Sequence, residues 1–131
     1  MSGNKEFVKA FLRISMSLVF LYFGFQQVSD ADSWTSFVPD FLTKSIFSAS
    51  NIVVFNGMVE LCLGIFLILG LYTRFSSLIL SIHLLGIAFS IGISPLGVRD
   101  FGLALATFAV FLNGADNYTL DRRLRKKKEK E

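Results

Sequence analysis

The sequence predicts an all-α fold: an integral membrane bundle of four helices, both termini cytoplasmic, with a short interfacial helical segment in the long outer loop. Three observations predict it. Of the 131 residues, 53% are hydrophobic and only 18% charged, where a soluble domain carries about a quarter charged. Four stretches are apolar over a length that can cross a bilayer, which takes about 20 helical residues for a core of about 30 Å. With four spans, eleven of the thirteen Lys and Arg residues fall on one side of the membrane, the side that faces the cytoplasm.

The first span is residues 7–27, FVKAFLRISMSLVFLYFGFQQ. Lys5, Lys9 and Arg13 ahead of an apolar run also have the look of a secretory signal, yet no small-x-small cleavage pattern follows Phe25. The segment is therefore read as the first helix of the mature protein. In the long connection, Trp34, Phe37, Val38, Phe41 and Leu42 recur at the spacing of one helical face. Pro39 interrupts that face and predicts two short pieces rather than one helix. These pieces lie at the interface with Trp34 at headgroup level, or form a lid over the outer mouth of the bundle.

The second and third spans are residues 52–71 and 76–93. The fourth, 98–117, has an uncharged core only over 101–115 and needs its polar ends to cross. Lys5, Lys9, Arg13, Arg74 and the seven basic residues after Leu120 then lie inside, and only Lys44 and Arg99 lie outside. Residues 1–121 form one domain of the plasma (cytoplasmic) membrane, and 122–131 form a basic tail that stays solvated or touches anionic lipid.

Ionisable groups at membrane depth are rare and are candidates for function. Glu60 lies roughly 12 Å below the outer boundary and His83 roughly 10 Å above the inner one, counted at about 1.5 Å per residue. A carboxyl and an imidazole can therefore share the interior. A proton donor beside an apolar cavity suits a quinone head group or a proton relay, and the two are the candidate catalytic residues. The same pair can equally serve to tie two helices together. Asn56 stands one turn from Glu60 on the same face, and Gln27 closes the first helix at the outer level. Arg99 and Asp100 open the fourth helix there, either as a helix-start pair favoured by the dipole or with Arg99 turned inward to anchor Glu60 or an anionic ligand. Asn56, Gln27, Arg99, Asp100, Trp34 and Phe37 are the candidate ligand contacts. Gly86 and Ser90 share the face of His83 and are expected to let another helix approach. Arg13 and Arg74 are expected to reach out to the inner headgroups.

Several chemistries are excluded. Cys62 is the single cysteine, so neither an internal disulfide nor a C-x-x-C redox pair can form; it is expected to be a buried small hydrophobe. One histidine cannot supply bis-histidine haem ligation within a chain, and the sequence has no Cys/His cluster for zinc and no phosphate loop. The net charge of +3 reflects the tail, and no nucleic-acid partner is expected. No metal and no covalent cofactor are expected.

The order of these elements resembles a known family. Arg13 and Gly24-x-x-Gln27 are followed by Gly57-x-x-Glu60-x-x-x-Gly64, then Gly70-Leu71-Tyr72-Thr73-Arg74, Arg99-Asp100 and a closing GADNYTLDRR from Gly114 to Arg123. This resembles the DoxX family of small four-helix membrane proteins, with its DoxD-type and MauE-like relatives. The resemblance implies a membrane subunit associated with redox chemistry: DoxD-type proteins form part of a thiosulfate:quinone oxidoreductase, and others partner thiol and oxidative-stress systems. Gln27 stands where the first helix of the family often ends in lysine, which argues against thiosulfate as substrate. The leading expectation is a subunit that binds a quinone or similar lipid-soluble ligand around Glu60 and works with a soluble or membrane redox partner. A non-catalytic scaffold for such a partner is the alternative, and a small proton-coupled transporter is third. Membrane lipid surrounds any of the three, and a homo-oligomer is compatible with each.

Overall fold

A computed structural model describes residues 2–131 as helices joined by short turns. Helix α1 is Ser2–Ser29, followed by a 3-10 segment Ala31–Phe37 and a single turn, α2, at Asp40–Thr43. Helices α3 (Ala49–Leu69), α4 (Thr73–Ile91), α5 (Pro95–Asn113) and α6 (Leu120–Lys130) complete the chain. Four of them, α1, α3, α4 and α5, are long and apolar enough to cross a membrane. The long connection does break at Pro39, whose fixed φ of −61° makes it the residue before α2 rather than part of a continuous helix.

Each end has a local cause. Ser48 and Ser94 accept hydrogen bonds from the backbone of Asn51 and Gly97 at 3.3 and 3.1 Å, capping α3 and α5, and Pro95 stands where α5 needs no donor. Helix α3 stops at Gly70, which takes φ +75°; Leu71 N donates to Phe66 O and Gly70 N to Leu67 O, the pairing that satisfies the last carbonyls.

Helix α1 lies along α3 and α4 along α5, with less extensive contact between the two pairs. Gly24 and Gly57 make the first pairing close: a Cβ on either would sit 2.9 Å from the carbonyl oxygen of the other. Ser81 Oγ donates to Ala104 O at 3.0 Å across the second. Met16, Phe20, Leu67, Leu80, Leu84, Ala104 and Val110 form the core between the pairs. The outside is apolar, with Phe7, Phe11, Tyr22, Phe55 and Phe89 exposed on it. Cys62 is exposed there too, contrary to the expectation of burial, because it lies on the side of α3 away from the core.

The end of the bundle near the α3–α4 turn is locked by the C-terminal segment, and here three expectations are corrected. Arg13 does not reach outward: it is 2% exposed, its Nε bonds Asp116 Oδ2 at 2.8 Å, and its Nη1 donates to the carbonyls of Leu67 and Ile68 at 2.9 and 2.7 Å. The last carbonyls of a helix have few partners within it; a planar guanidinium supplies a donor to Ile68 O and a second one, beside Gly70 N, to Leu67 O, while Asp116 balances its charge. Arg74 is exposed. Helix α5 ends at Asn113 rather than 117, because Gly114 turns the chain (φ +69°) and Asp116 is needed in the lock. The tail is not a loose run of charge. Thr119 caps α6 by accepting from Arg122 N, and Asp121 accepts from Tyr72 N, Thr73 N and Thr73 Oγ1, each at 2.8 Å, so that α6 caps the start of α4. Glu6 joins in, accepting from Asn117 N at 2.9 Å and lying 3.5 Å from Arg122.

Candidate functional site

At the opposite end the two helix pairs part around a cavity of about 650 Å³. Its polar floor comes from three residues on α1 and α3. Glu60 is 3% exposed and accepts from Gln27 Nε2 and from Asn56 Nδ2, both at 3.2 Å, while Asn56 also donates to Gln27 Oε1. Helical geometry sets this up: Asn56 and Glu60 are one turn apart, and the close Gly24–Gly57 approach brings Gln27, one turn along α1, beside them.

His83 faces them from α4. Its Nε2 lies 3.7 Å from Glu60 Oε1, beyond hydrogen-bond distance. Among the described residues, it is the buried side-chain polar atom left without any hydrogen-bond partner. Such an atom is uncommon, because an unmet buried donor or acceptor loses its water without replacement. Glu60 and His83 therefore form a carboxyl–imidazole pair with one unused position, on the wall of an apolar chamber.

The structure brings all eight sequence-predicted residues to this one cavity: Glu60, His83, Asn56, Gln27, Arg99, Asp100, Trp34 and Phe37 all line it. One expected link is not made. Arg99 does not anchor Glu60; its Nε and Nη2 bond Asp100 Oδ1 at 3.2 and 3.1 Å, and its guanidinium stacks 5.3 Å above the Phe23 ring. Arg99 pairs with Asp100 because Asp100 is adjacent and buried whereas Glu60 already has two amide donors. The pair is not at the helix start as expected, since α5 begins at Pro95 and its first turn holds no acidic residue. The 3-10 segment closes the chamber, with Trp34 edge-on to Phe23 and Phe37 beside Trp34, each at 5.8 Å between centroids.

The sequence reading missed the apolar walls: Phe20 and Phe23 on α1, Leu84 and Ile87 on α4, and Leu103 on α5. A signal for the first two was present, since Phe20, Phe23 and Gln27 share one helical face. The small residues of α4 also act otherwise than expected. Gly86 and Ser90 line the cavity and are exposed, and a Cβ on Gly86 would meet nothing within 4 Å, so no helix packs against them.

A search of curated proteins and a search of solved structures returned no match. A family model described as DoxX matches residues 8–92, well over half of the chain. That stretch carries Gln27, Asn56, Glu60 and His83, and stops short of Arg99, Asp100 and the C-terminal lock. With four spans in the expected order and the polar floor of the cavity inside the matched residues, the chain belongs to the DoxX family of membrane proteins.

Proposed function

We propose that this chain is a ligand-binding membrane subunit. Its cavity takes the head group of a quinone or a similar lipid-soluble molecule, and it supports redox chemistry with a partner protein. The observation that carries the reading is His83 Nε2, a buried polar atom without a partner on the wall of a chamber that also holds Glu60. A ligand carbonyl or hydroxyl reaching that nitrogen supplies the missing bond. Apolar walls with a few convergent polar groups are the usual form of a small-ligand site. Reduction of a quinone to a quinol takes two electrons and two protons. The electrons come from the partner; one proton reaches the bound oxygen through Glu60 and His83, which are reprotonated from water, and the second reaches the other oxygen from water at the cavity mouth.

The orientation belongs to the same proposal. The chain sits in the plasma membrane with both termini cytoplasmic and the cavity toward the outer face, as the bias of basic residues toward the locked end supports. Cysteine labelling in intact cells is expected to modify Ser36→Cys and spare Lys130→Cys; external labelling of Lys130→Cys overturns the orientation.

Trp34 is the single tryptophan and lines the cavity, so it reports on the site directly. A short-chain benzoquinone titrated into the protein in lipid nanodiscs is expected to quench Trp34 fluorescence saturably. Glu60→Gln is expected to weaken that binding about tenfold, the worth of roughly one charge-assisted hydrogen bond. Quenching that never saturates, or is identical in Glu60→Gln, defeats the reading and leaves a scaffold role.

A further inference from the structure

The walls of the cavity are not equally closed, and the difference bears on the kind of molecule that fits. Between α1 and α5, Arg99 stacked on Phe23 fills the seam. Between α4 and α5, packing is extensive and Ser81 bonds across it. The seam between α3 and α4 is different. The two helices are joined by the short turn at Gly70–Tyr72 and each sends a leucine, Leu67 and Leu80, into the common core, and farther from the turn Glu60 and His83 approach only to 3.7 Å. Beyond that point the surface of α4 facing α3 is made of Gly86 and Ser90.

Helical phase fixes which seam these residues flank. At about 100° per residue, His83, Gly86 and Ser90 fall on one flank of α4 and Ser81 on the other. Ser81 points to α5 and His83 to Glu60 of α3, so Gly86 and Ser90 border the α3 side. The facing bank on α3 is Ile52 and Asn56, which also line the cavity and are only half-buried. Gly86 and Ser90 are both exposed and cavity-lining, a Cβ on Gly86 would meet nothing within 4 Å, and Ser90 Oγ folds back onto Gly86 O at 2.9 Å. On this side the chamber is thus bordered by exposed small residues of α4 and half-buried residues of α3, within the helices that are long and apolar enough to cross a membrane.

We infer that the cleft between α3 and α4, at Gly86 and Ser90, is a lateral passage for the tail of a long-chain amphiphile whose head group sits against Glu60 and His83. This rests on the ligand-binding reading above and deepens it: the ligand is drawn from the bilayer and carries an isoprenoid or acyl chain that stays in lipid. A water-soluble ligand needs no such opening, whereas a chain too long for the chamber must leave it through an apolar gap.

The test is to narrow the gap from each bank separately, with Gly86→Leu and Ile52→Phe, and to compare two benzoquinones, one with a single isoprenoid unit and one with a tail the length of a bilayer leaflet. Saturable quenching of Trp34 in nanodiscs gives the affinity. Gly86→Leu has room to fold, since its Cβ meets no neighbour. The long-tailed quinone is expected to bind each variant about tenfold or more weakly, the scale of forcing extra methylenes into a filled space, while the short-tailed one is bound as by the parent. Equal binding of both quinones by parent and variants overturns the passage and leaves the head-group site standing. Equal loss of both also overturns it, because the substitutions then act on the chamber itself. Failure of the parent to bind either quinone defeats the ligand reading and the passage together.

Discussion

Near the α3–α4 turn, Arg13 meets Asp116 at 2.8 Å, its remaining donors end on two α3 carbonyls, and the Asp121 carboxylate receives the first amides of α4. Toward the other end, Glu60 is held by two side-chain amides, His83 keeps a buried nitrogen unpaired, and about 650 Å³ is left unfilled. Both regions bury charge in a bundle that is otherwise apolar. In the first, Arg13, Asp116, Asp121 and Glu6 each meet an opposite charge or a helix terminus, and polar burial serves the fold. In the second, the polar groups meet chiefly each other, around space that a stability-driven core would have closed. Buried charge alone therefore does not separate the two regions; incomplete satisfaction beside a cavity does, and it is the ground on which the site is proposed.

The largest expected effect breaks the first region. Arg13→Met leaves Asp116 buried without its cation, strips Ile68 O of its donor and leaves Leu67 O with Gly70 N alone, and is expected to lower unfolding free energy by about 3–5 kcal/mol, measured by denaturant titration in detergent micelles. A loss under about 1 kcal/mol, the range of a surface pair, would mean that the lock contributes little. Gly70→Ala comes next: φ +75° is strained for alanine, and its Cβ would stand 2.5 Å from Thr119 Cβ. A loss of about 1–3 kcal/mol is expected in the same titration, and an unchanged midpoint contradicts the tight seating of Thr119. Asp121→Ala removes the cap on α4 and is expected to cost about 1 kcal/mol; no shift would detach α6 from the stability of the bundle. The smallest effect on stability belongs to the cavity. Glu60→Gln keeps the shape and one acceptor oxygen for Gln27 Nε2, while Asn56 Nδ2 retains Gln27 Oε1 as acceptor; it is expected to shift the unfolding midpoint less than Asp121→Ala does while it weakens quinone binding.

How far each region was legible in the sequence follows from the same contrast. The spans stood out because an apolar run of that length has few other uses. The cavity residues stood out because Glu60, Asn56 and His83 are polar within such runs, and counting along the helices was enough to place them at one depth. The lock was not legible. Arg13 lies near the start of its span, where an arginine that reaches the headgroups leaves the same trace. Its partners are 54 and 103 residues away, so no local spacing reveals them. The closing GADNYTLDRR was read as a family signature, and only the fold gives Asp116, Thr119 and Asp121 their structural work. Gly86 and Ser90 were misread for a related reason: small residues accompany both a tight helix contact and a gap, and only the position of α3 decides between them.

The central claim is that Gln27, Asn56 and Glu60 are kept for a ligand and not for the fold. The most direct measurement combines Gln27→Leu, Asn56→Leu and Glu60→Met in one protein, and follows unfolding and Trp34 quenching side by side. Replacing a buried polar cluster with apolar groups of similar volume is often neutral or stabilising. The account predicts a variant at least as stable as the parent that no longer binds quinone saturably. A variant that loses as much stability as Arg13→Met, or that binds as the parent does, would contradict it.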